Sequence, residues 1–199
     1  MKAVKYFAFY LFLTAFIACK PKEQTKHTLH PTTKDYFEVK NGSKYYFTEA
    51  GDTSQTFEYT AGNFVNQQAN PDIENSEILV YDLSGVGKQP LYTIRCETGG
   101  SEFKDRIALV VKSGDTSILG AVVFNQGGNF TTIAGSGDSL TLYPSYILNG
   151  KLFDDVIKVK LFNNPLYREI YYAKGIGLIG RKEKAGDKFY YVKRYQINH

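Results

Sequence analysis

The chain has 199 residues, with 24 Lys and Arg against 20 Asp and Glu, 16 Tyr, 14 Phe, two Cys, one Met and no Trp. A charged fraction of 22% beside 43% hydrophobic residues excludes wholesale disorder, collagen and coiled coil, and the length holds one globular domain. Tyr, Phe, Val and Ile pack best on half-buried pleated surfaces, so an all-helical fold is disfavoured as well.

Lys2 and Lys5 precede Tyr6–Ala18, a run without a single charge, and Cys19 follows. As a helix the run is about 20 Å long against a hydrocarbon core of about 30 Å, which suits a signal peptide over residues 1–18 and not a membrane span. An ordinary secretory cut wants small residues one and three places before it, but a cut after Ala18 has Phe16 at the third place and a cut after Ala15 has Leu13. Phe16-Ile17-Ala18-Cys19 resembles instead the lipobox of bacterial lipoproteins, with Phe where that family usually has Leu. The resemblance implies that Cys19 carries the lipid, palmitate-like acyl chains included, and becomes the first residue of the mature protein. Two or three such chains hold a protein on a bilayer where one does so only marginally. Lys20 stands where the family often uses Asp to retain a lipoprotein at the inner membrane, which points to the outer membrane, facing the periplasm or the surface. Cys96 is then the one remaining thiol, and it alternates with Tyr92 and Ile94 as a small buried hydrophobe would. A Cys19–Cys96 disulfide in a soluble secreted protein is the competing reading.

Residues 20–34 contain Leu29 as their only large apolar side chain, so 19–34 reads as a lipidated Cys and a flexible tether of about 20 Å that buries no core. Residues 35–199 then form a single β domain. Turn signals at Asn41-Gly42, Gly51-Asp52, Gly99-Gly100, Gly114-Asp115, Gly127-Gly128, Gly137-Asp138 and Gly186-Asp187 separate short apolar runs. The runs fall at 45–47, 56–60, 77–83, 91–96, 106–112, 117–124, 156–162, 169–173 and 188–197. Ser101–Val111 fits a helical stripe through Phe103, Ile107 and Val110 as well as a strand through Ile107, Leu109 and Val111, and its β-branched content decides for the strand. Ile157, Val159 and Leu161 alternate with Lys158 and Lys160, giving one buried and one solvated face. The expected fold is all-β: a single antiparallel meander of about a dozen short strands, curved into a sandwich or a half-open barrel because so wide a sheet cannot stay flat.

Gly175, Gly177 and Gly180 spell G-x-G-x-x-G, yet no helix and no downstream acidic residue follow at the dinucleotide spacing. They read as structural glycines where a Cβ would not fit. The surrounding strings, EIYYAKGIGLIGRKE at 169–183 and KFYYVKRYQI at 188–197, resemble the ending of small bacterial envelope lipoproteins marked by Tyr-Tyr-Ala-x-Gly-Ile/Val-Gly-Leu. DYFEVKNGSKYYF at 35–47 resembles their opening, an aromatic strand, a Gly turn and a second aromatic strand, with Tyr45 or Tyr46 where many have Trp. The resemblance implies an all-β envelope lipoprotein and no activity.

Other chemistry is thin. His27 and His30 lie in the expected tether and His199 at the end, which leaves no metal site and no base for a triad. Asp154 and Asp155 are adjacent and would face opposite ways on a strand. Tyr190, Tyr191, Lys193, Arg194 and Tyr195 mix rings with cations, but an exported lipoprotein meets little nucleic acid. Residues 19–149 carry 11 basic and 15 acidic groups, whereas 150–199 carry 11 and 5; a set of solvated lysines or an anionic neighbour would explain the basic end. The expected function is a non-catalytic, lipid-anchored binding or scaffolding module of the cell envelope without a cofactor. Its partners are the membrane, through the acyl chains, and an apolar ligand or envelope protein. The alternative is an envelope hydrolase acting on glycan or lipid. The expected pocket is lined by aromatic and aliphatic side chains, with no His and no paired carboxylates at its floor.

Overall fold

The computed structural model describes residues 27–70, 73–85, 91–98, 104–113 and 115–198; the signal peptide, Cys19, the Gly99-Gly100 turn and the first part of the expected tether lie outside them. Among the described residues twelve strands follow one another in antiparallel pairs. They are β1 (Lys44–Glu49), β2 (Asp52–Asn70), β3 (Ile73–Gly85), β4 (Leu91–Thr98), β5 (Lys104–Ser113), β6 (Thr116–Gln126), β7 (Asn129–Thr131), β8 (Ser139–Leu148), β9 (Lys151–Lys160), β10 (Tyr167–Ala173), β11 (Gly177–Glu183) and β12 (Phe189–Gln196). The order across the sheet is β7-β6-β5-β4-β3-β2-β1-β12-β11-β10-β9-β8, so its two edges belong to strands that are consecutive in the chain. The sheet curls until those edges approach, giving a nearly closed barrel with one unsealed seam. Curling follows from the right-handed twist of each strand, which a sheet of this width cannot carry flat.

Alternation decides what lines the inside. Tyr45 and Phe47 of β1, Tyr92, Ile94 and Cys96 of β4, Ile157 and Val159 of β9 and Tyr172 of β10 are all within 2% of full burial and belong to one interior cluster. Lys158 and Lys160 face the other way, as the sequence period requires. Cys96 is a free thiol in this interior, and burial pushes its ionisation far above the ordinary thiol range. It is a packing residue.

Several strands are longer than the glycine punctuation implies. β2 runs through Gly62 and β6 through Gly120, neither of which has a positive φ, so these glycines extend the chain instead of turning it. None of the apolar runs read from the sequence covers 139–148. β8 forms there as an edge strand, where proline forfeits no ladder hydrogen bond. At the seam Asn164 Nδ2 donates to the carbonyls of Leu119 at 2.9 Å and Gly120 at 2.7 Å, a side chain standing in for the missing strand partner.

The tether expectation fails for residues 27–34. Pro31–Phe37 is a helix, α1, with Pro at its first position and the His30 ring nitrogen accepting from Thr32 N–H at 3.2 Å as the cap. DYF at 35–37 is therefore the last turn of a helix and not an aromatic strand. Leu29, Thr33 and Phe37 are buried, and the segment crosses one end of the barrel as a plug. Leu29 N–H donates to Glu77 of β3 at 2.9 Å, His30 N–H to Asp105 of β5 at 2.8 Å, and Gly175 N–H, in the β10–β11 turn, to the Asp35 carbonyl at 2.6 Å. Apolar content alone hid this, because the residues between Leu29 and Tyr36 are largely polar, and backbone N–H groups, Thr33 and Lys34 join Leu29 and Phe37 in the docking.

Candidate functional site

β11 starts at Gly177 beside the plug and runs toward the opposite end of the barrel. Gly177 has φ +92°, and a Cβ there would lie 2.9 Å from Val39 Cγ2, in the segment that leaves α1. Gly175 (φ +71°) makes the tight turn before it, and a Cβ on Gly180 would meet Leu148 Cδ2 at 2.8 Å and the Tyr190 carbonyl at 3.3 Å. The three glycines thus serve a turn and two close approaches, and a strand, not a helix, follows them. Gly177→Val is expected to destabilise by about 1 to 3 kcal/mol, as strained backbone sites do. Differential scanning of the full chain should show a fall of several degrees, and a change below one degree would contradict the packing seen here.

Four residues beyond Gly177, about 13 Å along the strand at roughly 3.3 Å per residue, lies Arg181. Its side chain is 4% exposed, the most buried cation of the described residues that form ion pairs. Three rings surround the guanidinium: Tyr190 at 4.5 Å, Tyr92 at 5.1 Å and Phe47 at 5.3 Å from ring centroid to Cζ. Cation–π attraction compensates part of the lost hydration, more so in a desolvated setting. The Tyr59 hydroxyl also interacts with it. Even so, Nε and Nη1 are buried without a hydrogen-bond acceptor. The nearest carboxylate, Glu183 Oε1, stands 3.8 Å from Nε, too far for a hydrogen bond. Burial raises the Glu183 carboxyl pKa despite the opposing pull of Arg181 and Lys188. Burial likewise pushes the phenols of Tyr59, Tyr92 and Tyr167 upward, so at neutral pH they surround Arg181 as neutral groups.

A second feature lies on the outside. The end of the β8–β9 hairpin folds over β11 and β12: Leu148 covers Gly180, and Lys151 Nζ sits 4.3 Å from the Tyr195 ring centroid. A groove of about 540 Å³ opens beside it, lined by Glu49, Tyr146, Glu169, Tyr171, Lys182 and Lys188 among others. Its carboxylates are engaged, Glu49 with Lys188 at 3.0 Å and Glu169 with Lys158 at 2.9 Å. Tyr171 Oη donates to Glu169 at 2.5 Å. Burial works against the Glu169 charge, but the bonds from Tyr171 and Lys158 outweigh it and hold that carboxyl below its ordinary range. A group so held is an acceptor at neutral pH and a poor general acid. This groove is polar and contains carboxylates, unlike the aromatic and aliphatic pocket expected from the sequence.

The remaining sequence candidates separate in space. His30 is a helix cap and the His27 carbonyl accepts from Glu77 N–H at 2.9 Å, so both belong to the plug and not to a loose tether. Among the described residues no group of three or more His, Cys, Asp or Glu could hold a metal ion. Asp154 and Asp155 are both exposed on β9. In β12 the Tyr191 ring is buried, while Arg194 lies 4.0 Å over Tyr46. His199 falls outside the described residues. Arg181 escaped the sequence reading altogether, because its flank (GRKE) reads as a solvated charge run and β11, buried along Gly177–Arg181, gives no period to set it apart. Comparison with protein-family models, curated proteins and solved structures finds no match to this chain.

Proposed function

We propose that this chain is a lipid-anchored binding module of the cell envelope, held by acyl chains on Cys19 in the outer membrane, whose barrel receives a ligand at the end around Arg181. The observation that carries the reading is the Arg181 guanidinium, buried among rings with two nitrogens lacking an acceptor. A buried unpaired donor is costly, and native structures rarely keep one without a use. The ion-paired carboxylates of the outer groove favour binding over hydrolysis.

The anchor and the barrel fit one geometry. The plug places His27 at one end of the barrel, and only residues 20–26 separate it from Cys19. The eight steps from Cys19 to His27 reach at most about 29 Å at 3.6 Å each. An acylated Cys19 therefore keeps the plugged end close to the bilayer and turns the Arg181 end away from it.

The test uses the full chain expressed in a bacterial envelope. Metabolically supplied radiolabelled palmitate should mark the wild type and not Cys19→Ser, which should leave the membrane fraction or stay uncut. Native mass spectrometry of the gently purified wild type should show a co-purifying small molecule. A membrane-bound, correctly cut Cys19→Ser protein would defeat the anchor, and a ligand-free chain from every preparation would defeat the binding module.

A further inference from the structure

The charge balance at Arg181 narrows the ligand. Tyr190, Tyr92 and Phe47 lie against the guanidinium, so an acceptor must reach the N–H groups from the side the rings leave free. Glu183 marks that approach: its side chain is 30% exposed, and its carboxylate stops 3.8 Å short of Nε. It stands two residues further along β11, on the same face, at the rim of the barrel. A ligand oxygen arriving from solvent would enter where Glu183 now stands and come closer than it does.

We infer that the rim around Arg181 is a site for a single carboxylate borne on an aromatic or aliphatic body, which takes the place of Glu183 beside the guanidinium. The inference rests on the reading of the barrel as a binding module and names the ligand class of that site. One buried cation matches one negative charge, and a dianion such as a phosphate monoester would leave charge uncompensated in an apolar surround. The neighbouring cations are engaged elsewhere: Lys188 with Glu49 at 3.0 Å, Lys182 with Asp187 at 3.1 Å, and Lys184 donating to the Asn164 carbonyl at 3.5 Å. The rings of Tyr190 and Phe57, half-buried at the same end, offer a surface to the apolar body of the ligand. Carboxylate and guanidinium are complementary in shape and charge, and their hydrogen bonds are among the strong ones in proteins.

The test is calorimetric titration of the acylated full chain in a non-ionic detergent with benzoate, benzamide and phenyl phosphate. Benzoate should bind, benzamide at least tenfold more weakly, and phenyl phosphate no more tightly than benzoate. Glu183→Gln, a change at the half-exposed rim, removes the competing carboxylate and should tighten benzoate at least threefold. Arg181→Gln should weaken it at least tenfold. Because that variant also loses the interior cation–π contacts and can unfold, Glu183→Gln carries the decision. Benzoate binding that is absent or unchanged in folded Glu183→Gln, or phenyl phosphate binding more tightly than benzoate, overturns the inference. If benzamide and benzoate bind alike, the carboxylate claim falls while the binding module stands; a ligand-free chain in native mass spectrometry removes the module itself.

Discussion

Replacing Phe37 by alanine is expected to cost about 3 to 5 kcal/mol, the usual price of emptying a buried phenylalanine site. At about 2 to 4 °C per kcal/mol for a chain of this size, the midpoint of thermal unfolding should fall by roughly 10 °C. Phe37 is fully buried in the last turn of α1, with its ring 4.9 Å from Tyr172 and 6.2 Å from Phe130. Tyr172 belongs to β10 and Phe130 to β7, so one side chain bridges widely separated parts of the sheet order. A helix of seven residues has no stability of its own, since nucleation is unfavourable and isolated helices under about 12 residues are marginal. The helix exists because Phe37, Tyr36 and Leu29 are docked. Phe37→Leu should cost markedly less, because most of the volume is retained. A loss below 1 kcal/mol for the alanine variant, read from thermal or denaturant unfolding of the full chain, would show that the plug contributes little to the barrel.

The sheet was legible in the sequence where a strand has one wet face. Ile157 and Val159 against Lys158 and Lys160 announce β9, and Tyr92, Ile94 and Cys96 announce β4, because a barrel wall is buried on one side and the period of two survives. Strands were missed where that contrast is absent. β8 is an edge strand with side chains mostly exposed, and β11 is buried on both faces, inside by Leu178 and Arg181 and outside by Ile179 and Gly180 under the folded hairpin. Neither gives a period. The plug was invisible for another reason. Its attachment depends on Thr33 and the His30 N–H meeting Asp105, on Asn125 meeting Thr33 and on Gly175 N–H meeting the Asp35 carbonyl, contacts between residues 72 to 140 positions apart that no local pattern encodes. The candidate site shares this character: the ring set around Arg181 comes from β1, β4 and β12 and assembles only when the meander curls.

Asp105→Ala is expected to release the plug, with a loss on the order of 3 kcal/mol from two hydrogen bonds to a charged group at about 1.5 to 3 kcal/mol each, not fully additive. Asp105 is 5% exposed and accepts from His30 N–H at 2.8 Å and from Thr33 Oγ1 at 2.5 Å. Thr33 Oγ1 in turn accepts from Asn125 Nδ2 at 2.7 Å, so β5 and β6 hold the first turn of α1 jointly. Without the carboxylate the His30 N–H has no acceptor, and Thr33 keeps only one of its two bonds. Asp105→Asn retains one acceptor oxygen and should lose about half as much. The loss should be local. Hydrogen exchange of the full chain should accelerate over residues 30–38, while β9 and β10 keep their protection, since their ladder pairs are untouched. Because Arg181 lies at the opposite end of β11, benzoate affinity should stay within twofold of wild type. A released plug also adds residues 27–39 to the segment joining Cys19 to the barrel, which nearly triples its length in residues and frees the barrel from the fixed standoff. Unchanged exchange over 30–38 in Asp105→Ala would mean that Glu77, through Leu29 N–H and the 2.7 Å pair with Lys34, secures the plug by itself.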